Sequence, residues 1–274
     1  MMRYSCSSSL SAALASLLFA APAAFAESPG PNLILSEDFE STPVAGIPQG
    51  FTRVGLVGVS DDAAHSGRQS LKMEAAPNGA RRITKQGPEI AALGGEHWGR
   101  LYYKVKLPTP LPVVTEGKPN PLIHSTLVSG MAKSPQFNDL IEVRPFGSLL
   151  FMNGDVKYLY NVQPKTRKEF ATATKRKFRY TDDWTLVEWH VDYATQTYQF
   201  FINGEEIPEL AVHKGAGQFA GAEIPAVFDN LSFGFTNYQP ASGEGFVTWI
   251  DDLAVGKERL GGGALANQPV EAMK

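Results

Sequence analysis

Three short stretches gather side chains whose types and spacing suit chemistry on an anion. Arg100, Tyr102 and Lys104 alternate along one face of an extended segment, and His124 and Thr126 share a face of another. Glu142 and Arg144 project together from Ile141-Glu142-Val143-Arg144. Pooled, they offer cations to neutralise a negative group, a histidine to take a proton and a tyrosine to give one. Tyr160 and Tyr238 are further proton donors, and Glu188 shares a strand face with His190. Each has a plainer reading. His124 follows Pro121-Leu122-Ile123 and suits a hydrogen-bonded sheet position, Arg144 can pair with Glu142, and most of the nine tyrosines should pack rather than react.

Strands must hold these residues. In Arg100–Leu107, Leu101, Tyr103, Val105 and Leu107 fall opposite the polar set, and in Trp184–Asp192 the inward series is Val187, Trp189 and Val191. Asp192–Thr195 reads as a turn, and Gln196–Ile202 returns to Asn203-Gly204, a strong hairpin signal. Leu231–Phe235 and Phe246–Val255 close the series. The 26 glycines and 19 prolines punctuate short alternating runs, and no stretch sustains a helical period. Pro108–Pro121, with five prolines, and the basic run Lys165–Arg179 read as loops. That run is expected to be a solvated loop, though beside a cleft it would attract an anionic polymer. Many short strands without helix–strand alternation predict an all-β sandwich of two antiparallel sheets, of jelly-roll type.

The start of the chain reads as a secretory leader over residues 1–26. Arg3 precedes an apolar run over Leu10–Ala21, and Ala24-Phe25-Ala26 supplies a small-x-small cleavage site. The run is shorter than the ~20 residues that span a bilayer, so no membrane span is expected. Residues 27–261 then form one domain, and 262–274 a disordered tail. The single cysteine, Cys6, lies in the leader, which excludes a disulfide, a thiolate nucleophile and a cysteine metal site from the mature chain. Loss of Arg3 leaves 24 basic residues against 28 acidic, a net charge of about −4 that gives no argument for nucleic acid, and none is expected as partner. The expectation is a secreted or periplasmic monomer.

Several segments, in this order, resemble concanavalin A-like jelly rolls of carbohydrate-active proteins. Ser36-Glu37-Asp38-Phe39-Glu40 and Ala64-His65-Ser66-Gly67-Arg68-Gln69-Ser70-Leu71 look like an opening, and Trp249–Val255 with Arg259-Leu260-Gly261 like a closing strand. His97-Trp98-Gly99-Arg100, His124-Ser125-Thr126-Leu127-Val128, Glu188-Trp189 and Asn203-Gly204 are similar to the glucuronan-lyase-like family of polysaccharide lyases. The resemblance spans most of residues 33–261.

It implies β-elimination from an acidic, uronic-acid-containing polysaccharide. Such chemistry needs a cation on the carboxylate, a base for the C5 proton and an acid for the departing O4. Arg100 or Arg144 suits the first role and His124 the second. Tyr160 or Tyr238 suits the third, with Tyr102 a further candidate. Tyr102, Lys104, Glu142 and Glu188 would contact substrate. The resemblance also implies a structural calcium where first and last strands meet. Asp38, Glu40, Asp251 and Asp252 offer carboxylates, and Ser66 and Gly67 carbonyls, in keeping with calcium's need for six to eight oxygens. The plainer reading of those acids is as edge-strand charges. The alternative function is a non-catalytic carbohydrate-binding protein on the same scaffold. A retaining hydrolase needs two close carboxylates, and the nearest pair, Asp139 and Glu142, falls on opposite faces.

Overall fold

The computed structural model describes residues 33–117, 121–213 and 223–261. The expected leader and tail lie outside the described residues. Alternation of apolar with polar residues sets the strands, which run in chain order as β1 (Leu33–Glu37), β2 (Phe51–Val54), β3 (Val57–Ser60), β4 (Ser70–Ala76) and β5 (Gly79–Gln86). A single helical turn, α1 (Pro88–Ala92), precedes β6 (Glu96–Val105), β7 (Leu122–Lys133), β8 (Leu140–Phe151), β9 (Val156–Pro164) and β10 (Phe170–Ala173). The series ends with β11 (Thr185–Asp192), β12 (Thr197–Ile202), β13 (Glu205–Glu206), β14 (Asn230–Asn237) and β15 (Phe246–Gly256). No helix among the described residues is long and apolar enough to cross a membrane.

The strands form two antiparallel sheets. The first is ordered β13-β12-β11-β6-β15-β4-β3, with β1 also on β15; the second is β10-β9-β8-β7-β14-β5-β2. Their inner faces bury the expected series: Leu101, Tyr103 and Val105 of β6 and Val187, Trp189 and Val191 of β11 from the first sheet. The second contributes Ile141, Val143 and Phe146 of β8, Tyr158, Tyr160 and Val162 of β9, and Phe233 and Phe235 of β14. Aromatic pairs tie the layers together. Tyr103 and Tyr158 join hydroxyls at 2.5 Å, and Tyr160 stacks on Tyr198 at 4.0 Å. Gly99 has no substitute at its position, since a Cβ there would lie 2.0 Å from the Trp189 indole.

Most local expectations match the strands found. Asn203 and Gly204 both take positive φ, 49° and 83°, as a two-residue hairpin turn between β12 and β13 requires. Three details differ. Leu107 lies beyond the end of β6 and is exposed. His97 precedes the strand expected at Arg100–Leu107, yet it is a buried member of β6 whose Nε2 accepts from the Trp189 indole at 3.2 Å. Part of the basic run forms edge strand β10 and is not all loop.

The first half of β15 pairs with β4, and its second half, Leu253–Gly256, pairs with β1. Asp252, at φ 47°, sits where the partner changes and where the β15–β6 register shifts.

Candidate functional site

Sheet membership divides the sequence candidates into two groups. Arg100, Tyr102, Lys104 and Glu188 lie on β6 and β11 of the first sheet, whereas His124, Glu142 and Arg144 belong to the second and Tyr238 follows the end of its strand β14. The expected pooling of all these strands into one face is therefore corrected. β6 is flanked by β11 and β15, not by β7 or β8. Tyr160 leaves the set for another reason: it points into the core, is fully buried and stacks on Tyr198. Burial drives its hydroxyl well above the ordinary range, so it is not placed to protonate a leaving group.

On the outer face of the second sheet, four candidates meet. The His124 and Tyr238 rings lie 4.9 Å apart, and the Arg144 guanidinium sits 5.0 Å from the Tyr238 ring centre. Arg144 donates from Nε and Nη2 to Glu142 Oε2 at 3.0 and 2.7 Å, and Arg82 reaches the same carboxylate at 3.7 Å. The Tyr238 hydroxyl donates to Thr126 Oγ1 at 3.3 Å. Backbone bonds hold the pair in register: Tyr238 N–H donates to His124 O, and His124 N–H to the Gln239 side chain at 2.7 Å.

Burial is the largest cause that lowers His124 to a pKa of about 4; Arg144 adds to it and Glu142 opposes it. The imidazole is therefore neutral near pH 7, as a proton acceptor must be. Its Nε2 is buried and has no hydrogen-bond partner among the described residues.

The local backbone departs from regular pairing around this cluster. Register shifts occur between Thr126 and Val128 on β7, between Arg144 and Gly147 on β8, and between Phe233 and Thr236 on β14. Such bulges re-aim side chains and gather near binding sites. Gly234, at φ 154°, permits the last one, because a Cβ there would lie 2.2 Å from the Arg81 carbonyl. Segment 111–113 borders this end by bonding to Pro240 and Ser242. Arg82 and Gln239 also join the cluster, though neither was singled out from sequence. Arg82 alternates with buried Arg81 and Ile83, which was a readable signal.

The first sheet's polar residues are occupied otherwise. Glu188 is buried and accepts from Arg259 Nη2 at 3.0 Å and from Gly261 N–H at 2.9 Å. Arg100 donates to Gly261 O at 2.7 Å, so segment 259–261 covers both side chains. Tyr102 stacks on His65 at 3.5 Å, and Lys104 pairs with Asp182 at 3.2 Å. All four are thus engaged by other residues of the chain, away from the His124 cluster.

The expected calcium ligands surround the turn at residues 65–69. Asp251 Oδ2 accepts from His65 N–H at 2.7 Å and Ser66 N–H at 3.2 Å. Asp252 bonds His65 Nδ1 at 2.5 Å and Ser66 Oγ at 2.8 Å. Glu40 Oε1 accepts from Arg68 and Gln69 N–H, both at 2.7 Å, and Asp38 Oδ1 accepts from Glu40 N–H at 3.1 Å. Gly67, at φ 61°, leaves room for Glu40, since a Cβ would stand 2.5 Å from its carboxyl. Burial first, then Asp252, raises Asp251 to a pKa of about 8. This hard-oxygen donor set, with a buried acid beside a second one, suits calcium by chemistry. Among the described residues no three His, Cys, Asp or Glu side chains converge as a metal cage, so backbone carbonyls would have to supply further ligands.

No protein-family model matches the chain, and no curated protein matches it in sequence. Solved structures do. The chain is similar to a structure described as "Cellulose induced protein, Cip1", with 20% identity, a TM-score of 0.51, and coverage of 84% of this chain and 100% of that one. It is also similar to "HCR/D-Sa-GBL1/C", with 13% identity and a TM-score of 0.50, over 84% of this chain and 49% of the other. A carbohydrate esterase from Shiga toxin-encoding bacteriophage phi24B shares 18% identity at a TM-score of 0.49, over 82% and 98%. The first two likenesses show the fold, a jelly-roll sandwich, and at these identities the fold alone.

Proposed function

We propose that the chain is an exported protein that binds an acidic, uronic-acid-containing polysaccharide on the outer face of the second sheet and cleaves it by β-elimination. The observation that carries this reading is the meeting of His124 and Arg144 at Tyr238, ring to ring at 4.9 Å and cation to ring at 5.0 Å. Arg144 faces the uronate carboxylate and lowers the cost of the enolate-like intermediate. Neutral His124 takes the C5 proton. The C5–H electron pair becomes the C4=C5 double bond, the C4–O4 bond breaks, and O4 takes a proton from the Tyr238 hydroxyl. The products are a chain with a 4,5-unsaturated uronate end and a shortened partner chain.

Incubation with a panel of polyuronates, glucuronan included, tests this by absorbance at the unsaturated-uronate band. A rise with at least one polymer is expected. A second reading, binding without cleavage, is favoured by the two short bonds from Arg144 to Glu142, which already engage its charge. Retention of the protein on a polyuronate that yields no absorbance supports that second reading and overturns the lyase.

A structural calcium at the 65–69 turn belongs to the same proposal. Asp38, Glu40, Ser66, Asp251 and Asp252 would hold it. Calcium there would clamp the β1–β15 junction of a chain whose mature part has no cysteine.

A further inference from the structure

The row that contains His124 continues across the second sheet. His124 lies opposite Leu149 of β8, and Leu149 lies opposite Lys157 of β9. Directly opposed residues on neighbouring strands point to the same face. Two inter-strand steps put Lys157 about 10 Å from His124 along this row. Beside it opens a cavity of about 410 Å³ whose lining includes Phe151, Met152, Asp155, Lys157 and Lys177.

Charge and shape in this cavity are one-sided. Asp155 is its carboxylate, and it is shared by Lys177 at 2.8 Å, Arg179 at 3.3 Å and the Asn153 amide at 2.8 Å. Lys157 has no carboxylate partner among the described residues; its ammonium lies 6.0 Å from the Phe151 ring centre. Lys157 and Lys177 against the one lining carboxylate, itself also paired with Arg179, leave net positive charge, and Phe151 with exposed Met152 supplies an apolar floor. A pyranose ring with a carboxylate has the matching features, a C–H face and one negative group.

We propose that this cavity is a second uronate subsite. Lys157 and Lys177 take the carboxylate, Phe151 and Met152 take the C–H face of the ring, and the polymer runs across the strands from Tyr238 through His124 to Lys157. The inference rests on the acidic-polysaccharide reading of the His124 face and adds the direction of the chain and a place for a second sugar.

Titration calorimetry with oligoglucuronates and oligogalacturonates, disaccharide to hexasaccharide, tests it. In the natural protein the hexasaccharide should bind more tightly than the disaccharide. In Lys157→Gln the ratio of the two affinities should fall by about tenfold, the worth of one charge-assisted contact, and Lys157→Arg should restore it. Neutral oligosaccharides should show no dependence on Lys157. An unchanged affinity ratio in a folded Lys157→Gln protein, with hexasaccharide binding still lost in Arg144→Ala, overturns the subsite and leaves the His124 face standing. Failure of every oligouronate to bind the natural protein overturns both.

Discussion

The two outer faces of this sandwich carry the same kinds of side chain and put them to different ends. On the first sheet Arg100, Glu188 and Tyr102 are committed within the fold: segment 259–261 bonds the first two, and the His65 ring covers the third. On the second sheet His124 keeps a ring nitrogen without a partner among the described residues, and Tyr238 is 40% exposed. Arginine, histidine, tyrosine and glutamate on a strand are thus not a site in themselves. What distinguishes the faces is whether the chain's own segments lie across them.

The largest expected difference is kinetic. His124→Ala should lower the rate of elimination by about 10²–10⁴-fold, the range for loss of a general base, with little change in the thermal midpoint. Undiminished elimination in a folded His124→Ala protein would remove the residue from the mechanism. Glu188→Ala should do the reverse. It takes the acceptor from Arg259 and from Gly261 N–H, so about 2 kcal/mol of stability should go while kcat/KM on a polyuronate holds. A large loss of activity with unchanged unfolding would return Glu188 to the site.

Chelation probes the framework face next. If calcium is held at the 65–69 turn at about a hundred times its Kd, its removal should cost ~2.7 kcal/mol, a fall of roughly 5–10 °C in Tm for a chain of this size. A Tm unchanged by chelator excludes the ion. The smallest effect is the pH dependence of stability. Folded His124, at about 4, resists a proton that the unfolded chain takes up near 6.5. Its contribution is full above about pH 6.5 and is lost as pH falls toward 4. The Tm of His124→Gln should therefore vary less than that of the natural protein across this window, and equal slopes would contradict the assigned pKa.

Much of the fold could be read from local alternation, because strand phase is written in nearest neighbours. Val187, Trp189 and Val191 point inward as expected, and Asn203-Gly204 turns where a two-residue hairpin was expected. Phase also held more than was taken from it. Tyr160 shares the strand phase of Val156 and Val162, which puts it in the core rather than the cleft. Which sheet a strand joins is a different matter. That β6 lies between β11 and β15, and β7 between β8 and β14, depends on pairings between residues a hundred or more positions apart in several cases. That Arg100 lies opposite the inward Leu101 and Tyr103 is legible in the sequence; which sheet carries it is not. The covering segment at 259–261 was equally hidden, since its bonds to Glu188 and Arg100 cross 73 and 161 positions.

The comparison of faces can be read directly by two-dimensional amide NMR as an oligoglucuronate hexasaccharide is added to the full chain. Shifts should concentrate on β7, β8, β9 and the end of β14, around His124, Arg144, Leu149, Lys157 and Tyr238. Shifts confined to Arg100, Tyr102, Glu188 and segment 259–261, with the second sheet silent, would contradict it.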